Sequence, residues 1–291
     1  MNGFLNVLKP AGMTSHDVVS FARRLLKTKK IGHTGTLDPG VAGVLVLCVG
    51  KATRLVEYIL ESGKKYRAEL QLGLVTDTQD IFGKVIARSQ PDIAADDLVR
   101  VLAKYQGCIE QLPPMYSAVR QNGQKLYELA RRGIEVERKP RPVVIYDLQL
   151  RKRQGERVTF DVSCSKGTYI RTLCHDIGQD LGCGACMTRL IRTAVGPFLL
   201  ADSWTLEELT ELERADMALQ PLTADCLPLP VIAVNSDGVD CLSFGKALSS
   251  QHILRREESC GKAFAVTDRE GALLAIAEYR NGQWQPKKVF C

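Results

Sequence analysis

The segment Gly32-His33-Thr34-Gly35-Thr36-Leu37-Asp38-Pro39-Gly40 is built to present a side chain rather than hide it. Gly32, Gly35 and Gly40 let the backbone turn and let a ligand come close, while Pro39 pushes Asp38 toward extended backbone. A carboxylate held that way can stabilise or trap an electron-poor carbon, or take a proton from its neighbour. On residue types alone, a second role for Asp38 stays open, that of capping a turn, because Asp-Pro is ordinary turn vocabulary.

Other constellations carry less chemistry. Gly50-Lys51 invites a phosphate-loop reading, but six residues separate Gly43 from Gly50 and Ala52 stands where a hydroxyl residue is required. Cys183 and Cys186, with Cys174-His175 upstream, resemble half a zinc site; no second pair follows at ligand spacing, so structural cysteines are expected. His16, Asp17, His175 and Asp176 could be drawn into triads with Ser15, yet nothing around them forms a nucleophile elbow. Between Gln111 and Arg141 the chain carries Lys125, Arg131, Arg132, Arg138, Lys139 and Arg141 beside Tyr116 and Tyr127. Cations interleaved with aromatics suit nucleic acid, and a solvated helix with a loop would show the same charges.

The elements that must position these groups follow from periodicity. Val18, Phe21, Ala22, Leu25 and Leu26 recur at helical spacing, predicting a helix from an N-cap at Ser15 to about Lys27. Val44 to Val49 reads as a buried strand, Ala52 to Glu61 as a short helix, and Tyr66 to Leu72 as a strand with one buried face. A helix is expected over 96–106. Val143 to Arg151 and Arg157 to Cys164 should pair as a hairpin around Gln154-Gly155. Ile170 to Leu181 predicts a helix stopped by Gly182, and Thr205 with Glu208 a capping box. Beyond Pro221, Pro228 and Pro230 come short apolar runs between Gly, Asp and Asn turns, a small β-rich appendage. Without a regular βαβ rhythm the class is α+β with a largely antiparallel sheet.

Composition sets the frame. The chain has 291 residues, 45% hydrophobic and 25% charged, and its 39 Lys and Arg against 33 Asp and Glu give a net charge of +6. Disorder, collagen and coiled coil are excluded. The most apolar stretch, 41–49, is far shorter than the ~20 residues that cross a bilayer. The first ten residues carry no export signal, and ten scattered cysteines fit reduced thiols in a cytoplasm.

GHTGTLDPGVAGVLVLCVGKATR, residues 32–54, resembles the active-site motif of the TruB family of tRNA pseudouridine-55 synthases. Four further blocks agree in order and spacing: LNVLKPAGMTSHDVV near the start, LGLVTDTQDIFGKV at 72–85, PPMYSAVRQNGQKLYELARRGIEVERKPR at 113–141, and CSKGTYIRTLCHDIGQDLG at 164–182. The resemblance implies a pseudouridine synthase fold, with a catalytic domain over 1–225, a thumb-like RNA-binding insertion over about 111–141, and a PUA-like domain over 226–291. It implies isomerisation of a flipped-out uridine in the tRNA T-loop: the glycosidic bond breaks, the base turns, and C5 joins C1′.

Carried over by motif, Asp38 is the essential aspartate, and Arg171 pairs with it and keeps it ionised. Tyr66 stacks on the target base, Tyr169 and Leu190 line the pocket, and His33 fills the place of the flipped uridine. Lys125, Arg131, Arg132, Lys139 and Arg141 are expected to contact RNA. The resemblance implies no metal or redox cofactor, tRNA as partner, and a cytoplasmic monomer without an obligate protein partner. Two departures stand out: Cys186 where family members often have His, and Ile191 in place of a frequent Arg. Two competing functions are a guide-RNA-dependent relative with protein partners and an inactive tRNA-folding protein. The uninterrupted insertion speaks against the first, and intact Asp38, Tyr66 and Arg171 against the second.

Overall fold

GFLNVLK folds as strand β1 (Gly3–Lys9), with almost every side chain buried, as a strand covered on both faces requires. The structure is a computed structural model that describes residues 1–121, 123–259 and 261–291; Asn122 and Cys260 lie outside the described residues. Helix α1 (Ser15–Leu25) follows. Its N-cap is Thr14 rather than the expected Ser15: Asp17 N–H donates to Thr14 Oγ1 at 3.1 Å, and Thr14 N–H donates to the Asp17 carboxylate at 2.8 Å. The hydroxyl of Ser15 is committed elsewhere, as shown below. Strand β2 (Ile31–His33) and β1 both pair antiparallel with β3 (Ala42–Val49). The helix expected over 52–61 splits into a 3₁₀ turn, Gly50–Leu55, and α2 (Val56–Glu61).

Residues 63–193 form one of two compact units. They contribute β4 (Lys64–Leu72), the small hairpin β5 (Leu74–Thr76) and β6 (Val85–Arg88), α3 (Ala95–Lys104) and β7 (Gly107–Gln111). The basic insertion holds β8 (Arg120–Gln121), β9 (Gln124–Lys125) and α4 (Leu126–Arg131). Then come β10 (Arg141–Gln154), β11 (Arg157–Cys164), α5 (Ile170–Asp180) and β12 (Ala185–Val195). The sheet order is β12-β4-β11-β10-β7, with β4–β11, β11–β10 and β10–β7 antiparallel. The β10–β11 hairpin forms as expected, shifted by one: Gln154 pairs with Arg157, so the turn is Gly155-Glu156, with Gly155 at φ 58°. Gly182, at φ 74°, ends α5.

Residues 194–291 join residues 1–62 in the other unit. After β13 (Phe198–Leu199), Thr205 and Glu208 cap α6 (Leu206–Glu211) as a reciprocal box. The last segment forms β14 (Val231–Val234), α7 (Ser236–Ser243), β15 (Ile253–Arg256), β16 (Ala263–Thr267), β17 (Leu273–Arg280) and β18 (Gln283–Val289). The order is β15-β14-β16-β17-β18, with only β14 and β16 parallel. One core of this sheet is its own, around Ile232, Leu242, Val266 and Trp284. Ala265, Leu273, Ile276 and Phe290 instead pack with Phe4, Val44, Val46 and Leu55 in a core shared with the first strands. Among the described residues no helix is long and apolar enough to cross a membrane. The nine described cysteines are free thiols.

Candidate active site

Asp38 is exposed, but the loop that carries it is not loose. Leu37 and Val41, both 4% exposed, plug into the core on either side of it. Ser15 Oγ accepts from Leu37 N–H at 2.9 Å and donates to the Leu37 carbonyl at 3.3 Å, which is why this serine cannot serve as the helix cap. Thr34 N–H and Oγ1 both donate to the Val46 carbonyl, and Val41 N–H donates to the Asp38 carbonyl at 3.0 Å.

Pro39 is tied to the turn after β1: its carbonyl accepts Gly12 N–H at 2.8 Å and Lys9 Nζ at 3.3 Å. Lys9 is wholly buried, and its ammonium also donates to the carbonyls of Met13 at 2.6 Å and Pro10 at 2.9 Å. A buried cation is tolerated only when its protons are taken up, and here three carbonyls do so while stitching two loops together. His33, half-buried at the end of β2, accepts Gly35 N–H at Nδ1 at 3.4 Å. Gly35 takes φ 131°, backbone that side chains rarely adopt.

The other expected site residues belong to the second unit. Arg171, 6% exposed, is the second residue of α5. Its Nη2 donates to the Tyr116 carbonyl at 2.7 Å, and its Nη1 donates to the Thr78 carbonyl at 3.3 Å and lies 3.5 Å from Asp80 Oδ2. Asp80 is fixed in turn: Oδ1 accepts Thr78 Oγ1 at 2.7 Å and Phe82 N–H at 3.0 Å. Tyr169 precedes α5 and is clamped by buried Gln111, which accepts Tyr169 N–H at 3.0 Å and donates to its carbonyl at 3.2 Å.

Tyr66 and Leu190, both half-buried, stand on the neighbouring strands β4 and β12. Tyr66 alternates with exposed Lys65 and Arg67, and Leu190 with exposed Arg189 and Ile191, so both fall on the side that buries Ala68 and Leu70. Arg192, 2% exposed, shares that side; burial pulls its guanidinium below its usual range, and a hydrogen bond to Tyr66 opposes this.

In the basic insertion Arg131, Arg132, Lys139 and Arg141 are exposed. Lys125 is half-buried, donates to Tyr127 Oη at 3.3 Å, and lies with Arg131 against the Tyr127 ring.

Sequence reasoning assigned no role to Lys9, Asp80 or Arg192. Each carried a signal: a lysine closing an apolar strand, a second acid within TDTQD, and an arginine at the buried parity of β12. The rejected motifs have structural explanations. Lys51 Nζ donates to the Phe290 carbonyl at 2.7 Å, away from any phosphate role. Burial raises the Cys174 thiol, where neighbouring Cys186 adds to the effect, and pushes Cys186 up to about 11, the opposite of what thiolate ligands need. Among the described residues no cluster of His, Cys, Asp and Glu could hold a metal.

Residues 23–170 match the N-terminal domain of TruB family pseudouridylate synthase, and residues 171–229 match the tRNA pseudouridylate synthase B C-terminal domain. The chain is 47% identical to tRNA pseudouridine synthase B of Heliobacterium modesticaldum, covering 100% of this chain and 96% of that one. It is 44% identical to the protein of the same name from Pelotomaculum thermopropionicum, over 100% and 95%. Among solved structures, a chain of a Cbf5-Nop10-Gar1 complex superposes with TM-score 0.80 at 29% identity, covering 99% of this chain and 85% of that one. The motif blocks, the matched domains and this end-to-end similarity together place the chain in the TruB family of pseudouridylate synthases.

Proposed function

We propose that this chain isomerises uridine 55 to pseudouridine in the T-loop of tRNA, acting alone as a cytoplasmic monomer. The observation that carries the reading is Asp38, an exposed carboxylate on a loop braced by Ser15, Val46 and Lys9. A group that must meet a sugar carbon in one geometry gains from such bracing, because reorganisation at the moment of reaction is avoided.

In the proposed mechanism the Asp38 carboxylate meets the ribose while the glycosidic bond to N1 breaks. Two routes use it equally well: attack at C1′ to form an ester, or removal of the C2′ proton to form a glycal. The freed uracil, which carries the electron pair of the broken bond at N1, turns, and its C5 bonds to C1′ as the carboxylate leaves or the C2′ proton is returned; C5 then loses its proton and N1 gains one. Product and substrate have the same atoms, so the isomerisation balances without a redox partner. Arg171 serves as the cationic partner of the reaction, with Asp80 fixing its guanidinium; Tyr66 stacks on the base, Tyr169 and Leu190 line its pocket, and His33 fills the space that the flipped uridine leaves. The basic insertion, from Lys125 to Arg141, closes over the T-arm.

The test is incubation of purified protein with a T-arm hairpin, without guide RNA, accessory protein or added cofactor, followed by mapping of pseudouridine. Modification at the T-loop uridine is expected. A requirement for a guide RNA or protein partner would overturn the stand-alone reading. Arg171→Met, which strips a charge from a buried pair, should cripple turnover; full activity in that variant would remove Arg171 from the site.

A further inference from the structure

The second unit carries an open cleft of about 880 Å³ on the solvent side of its sheet. Glu69, Gln71, Arg157 and Arg189 line it from alternate strand positions, and the residues between them, Leu70 and Val158, are buried on the opposite side. The end of the β5–β6 hairpin and the residue after it close one wall with Arg88 and Ser89. The frame is rigid. Gly73, at φ 75°, donates to the Gly184 carbonyl at 2.8 Å and accepts Ser89 N–H at 2.9 Å, and Ser89 Oγ donates to the Cys183 carbonyl at 2.8 Å.

The arginines of this cleft are used differently from their neighbours. Elsewhere on this sheet Arg67 and Arg151 both bind Asp161, each at 2.7 Å. Arg88, Arg157 and Arg189 are exposed and make no side-chain hydrogen bond, ion pair or ring contact among the described residues, although two carboxylates line the same cleft. Those carboxylates are occupied with neutral donors: Glu69 accepts Thr188 Oγ1 at 2.8 Å, and Glu156 accepts Gln71 Nε2 at 2.6 Å. Three guanidiniums are thereby left facing one open concavity with no anionic partner among the described residues. At the same end of the unit Phe82, 75% exposed, sits on a turn that Asp80 ties down, next to cleft-lining Ile81.

We propose that this cleft binds the sugar–phosphate backbone of the substrate tRNA at nucleotides outside the T-arm. Planar guanidiniums match phosphate oxygens bidentately, and an open cleft suits a polymer passing through better than it suits one small anion. Tyr66 and Leu190, assigned to the target uridine, occupy the other side of the strands β4 and β12 that floor the cleft. A hairpin loop engaged on that side cannot also lie in the cleft, so the phosphates reaching these arginines come from another part of the RNA. The inference rests on the tRNA reading given above.

The test compares wild-type protein with R88A/R157A/R189A, titrating full-length tRNA and the isolated T-arm hairpin at several salt concentrations. These side chains hold nothing in the fold, so the variant is expected to keep its melting temperature. The expected result is a loss of about tenfold or more in affinity for full-length tRNA, with the slope of log affinity against log salt flattened by about two. Affinity for the hairpin, and its conversion to pseudouridine, should not change. R88K/R157K/R189K should restore the slope but only part of the affinity.

Parallel lines of equal height on full-length tRNA would overturn the proposal, as would an equal loss on hairpin and tRNA, which would assign the arginines to the T-arm. A change of oligomeric state in the alanine variant, with tRNA binding intact, would also overturn it in favour of a second copy. If wild-type protein leaves the hairpin unmodified, the proposed function fails; if the hairpin is modified and the tRNA titrations coincide, only the cleft assignment fails.

Discussion

The loop that carries Asp38 and the basic insertion between β7 and β10 are both largely irregular, yet they are held in opposite ways. The Asp38 loop bonds to distant parts of its own unit: Ser15 on α1, Val46 on β3 and Lys9 on β1. The insertion bonds mostly to itself, with Leu126 N–H donating to Val119, Tyr127 N–H to Ser117, and Gln121 to the Glu137 carbonyl. It is also tied to α5 through the Tyr116 carbonyl, which accepts Arg171. Segments held by long-range bonds open only when the whole unit opens, whereas self-contained ones open alone. On the proposed mechanism, the contrast separates a group that holds still during bond breaking from a surface that parts to admit a folded RNA arm and closes again.

The contrast can be broken most directly at Asp38. Asp38→Asn should lower turnover on a T-arm hairpin by about three orders of magnitude or more while leaving affinity intact, because the amide keeps the size and loses the charge. Near-wild-type pseudouridine formation would show that the braced loop carries no chemistry.

Next in size is the brace. Lys9→Met takes the ammonium donor from the carbonyls of Pro10 and Met13, and one of two donors from that of Pro39, a cost of about 2–4 kcal/mol that thermal melting together with turnover should register. Retained activity at unchanged stability would mean that the loop holds itself.

Arg131→Ala with Arg132→Ala sharpens the other half of the comparison. The slope of log affinity against log salt should flatten by about one to two, with chemistry on bound RNA and the melting temperature both preserved. An unchanged slope would make these side chains a solvated face.

The smallest effect lies outside both regions. Burial, with some help from Asp180, pushes Asp176 up to about 6. A carboxyl whose folded pKa exceeds its unfolded value of about 3.9 destabilises the fold as it ionises, so the contribution of Asp176 to stability is most favourable below pH 4 and falls as pH rises toward 6. Asp176→Asn should remove about 1–2 kcal/mol of that fall, seen as a smaller difference in unfolding free energy between pH 4 and pH 8. An identical pH profile in the variant would place the group in water.

The parts of the molecule legible in its sequence are those set by local pattern. The hairpin of β10 and β11 follows from alternation and a Gly turn, α5 stops at Gly182, and Thr205 with Glu208 caps α6. The Asp38 loop stood out by its glycines and its Asp-Pro step. Where the reading slipped, a contact distant in sequence had taken over the residue. Ser15 has the chemistry of a cap but bonds across 22 positions to Leu37, so Thr14 caps the helix. Lys9 reads as a strand-end charge, and its burial is set by the Pro39 carbonyl 30 positions away. Asp80 binds Arg171 on a different element, and no periodicity reports such a pairing. The β10–β11 turn was misplaced by one residue because Gly155 can occupy either central position of a two-residue loop.

The unit that bears Asp38 is assembled from residues 1–62 and 194–291. Lys51 and Arg54 donate to the carbonyls of Phe290 and Val289, and Lys288 pairs with Glu57. During synthesis residues 63–193 can therefore collapse on their own while residues 1–62 wait for partners that emerge from the ribosome more than 230 positions later. Closing so long a loop adds little to the entropy cost but much to the delay. Strand β3, whose Val44 and Val46 pack against Ala265, Leu273, Ile276 and Phe290, is thus among the last parts of its unit to find its full packing. Truncation near residue 280 should yield a protein whose second unit resists proteolysis while its first does not.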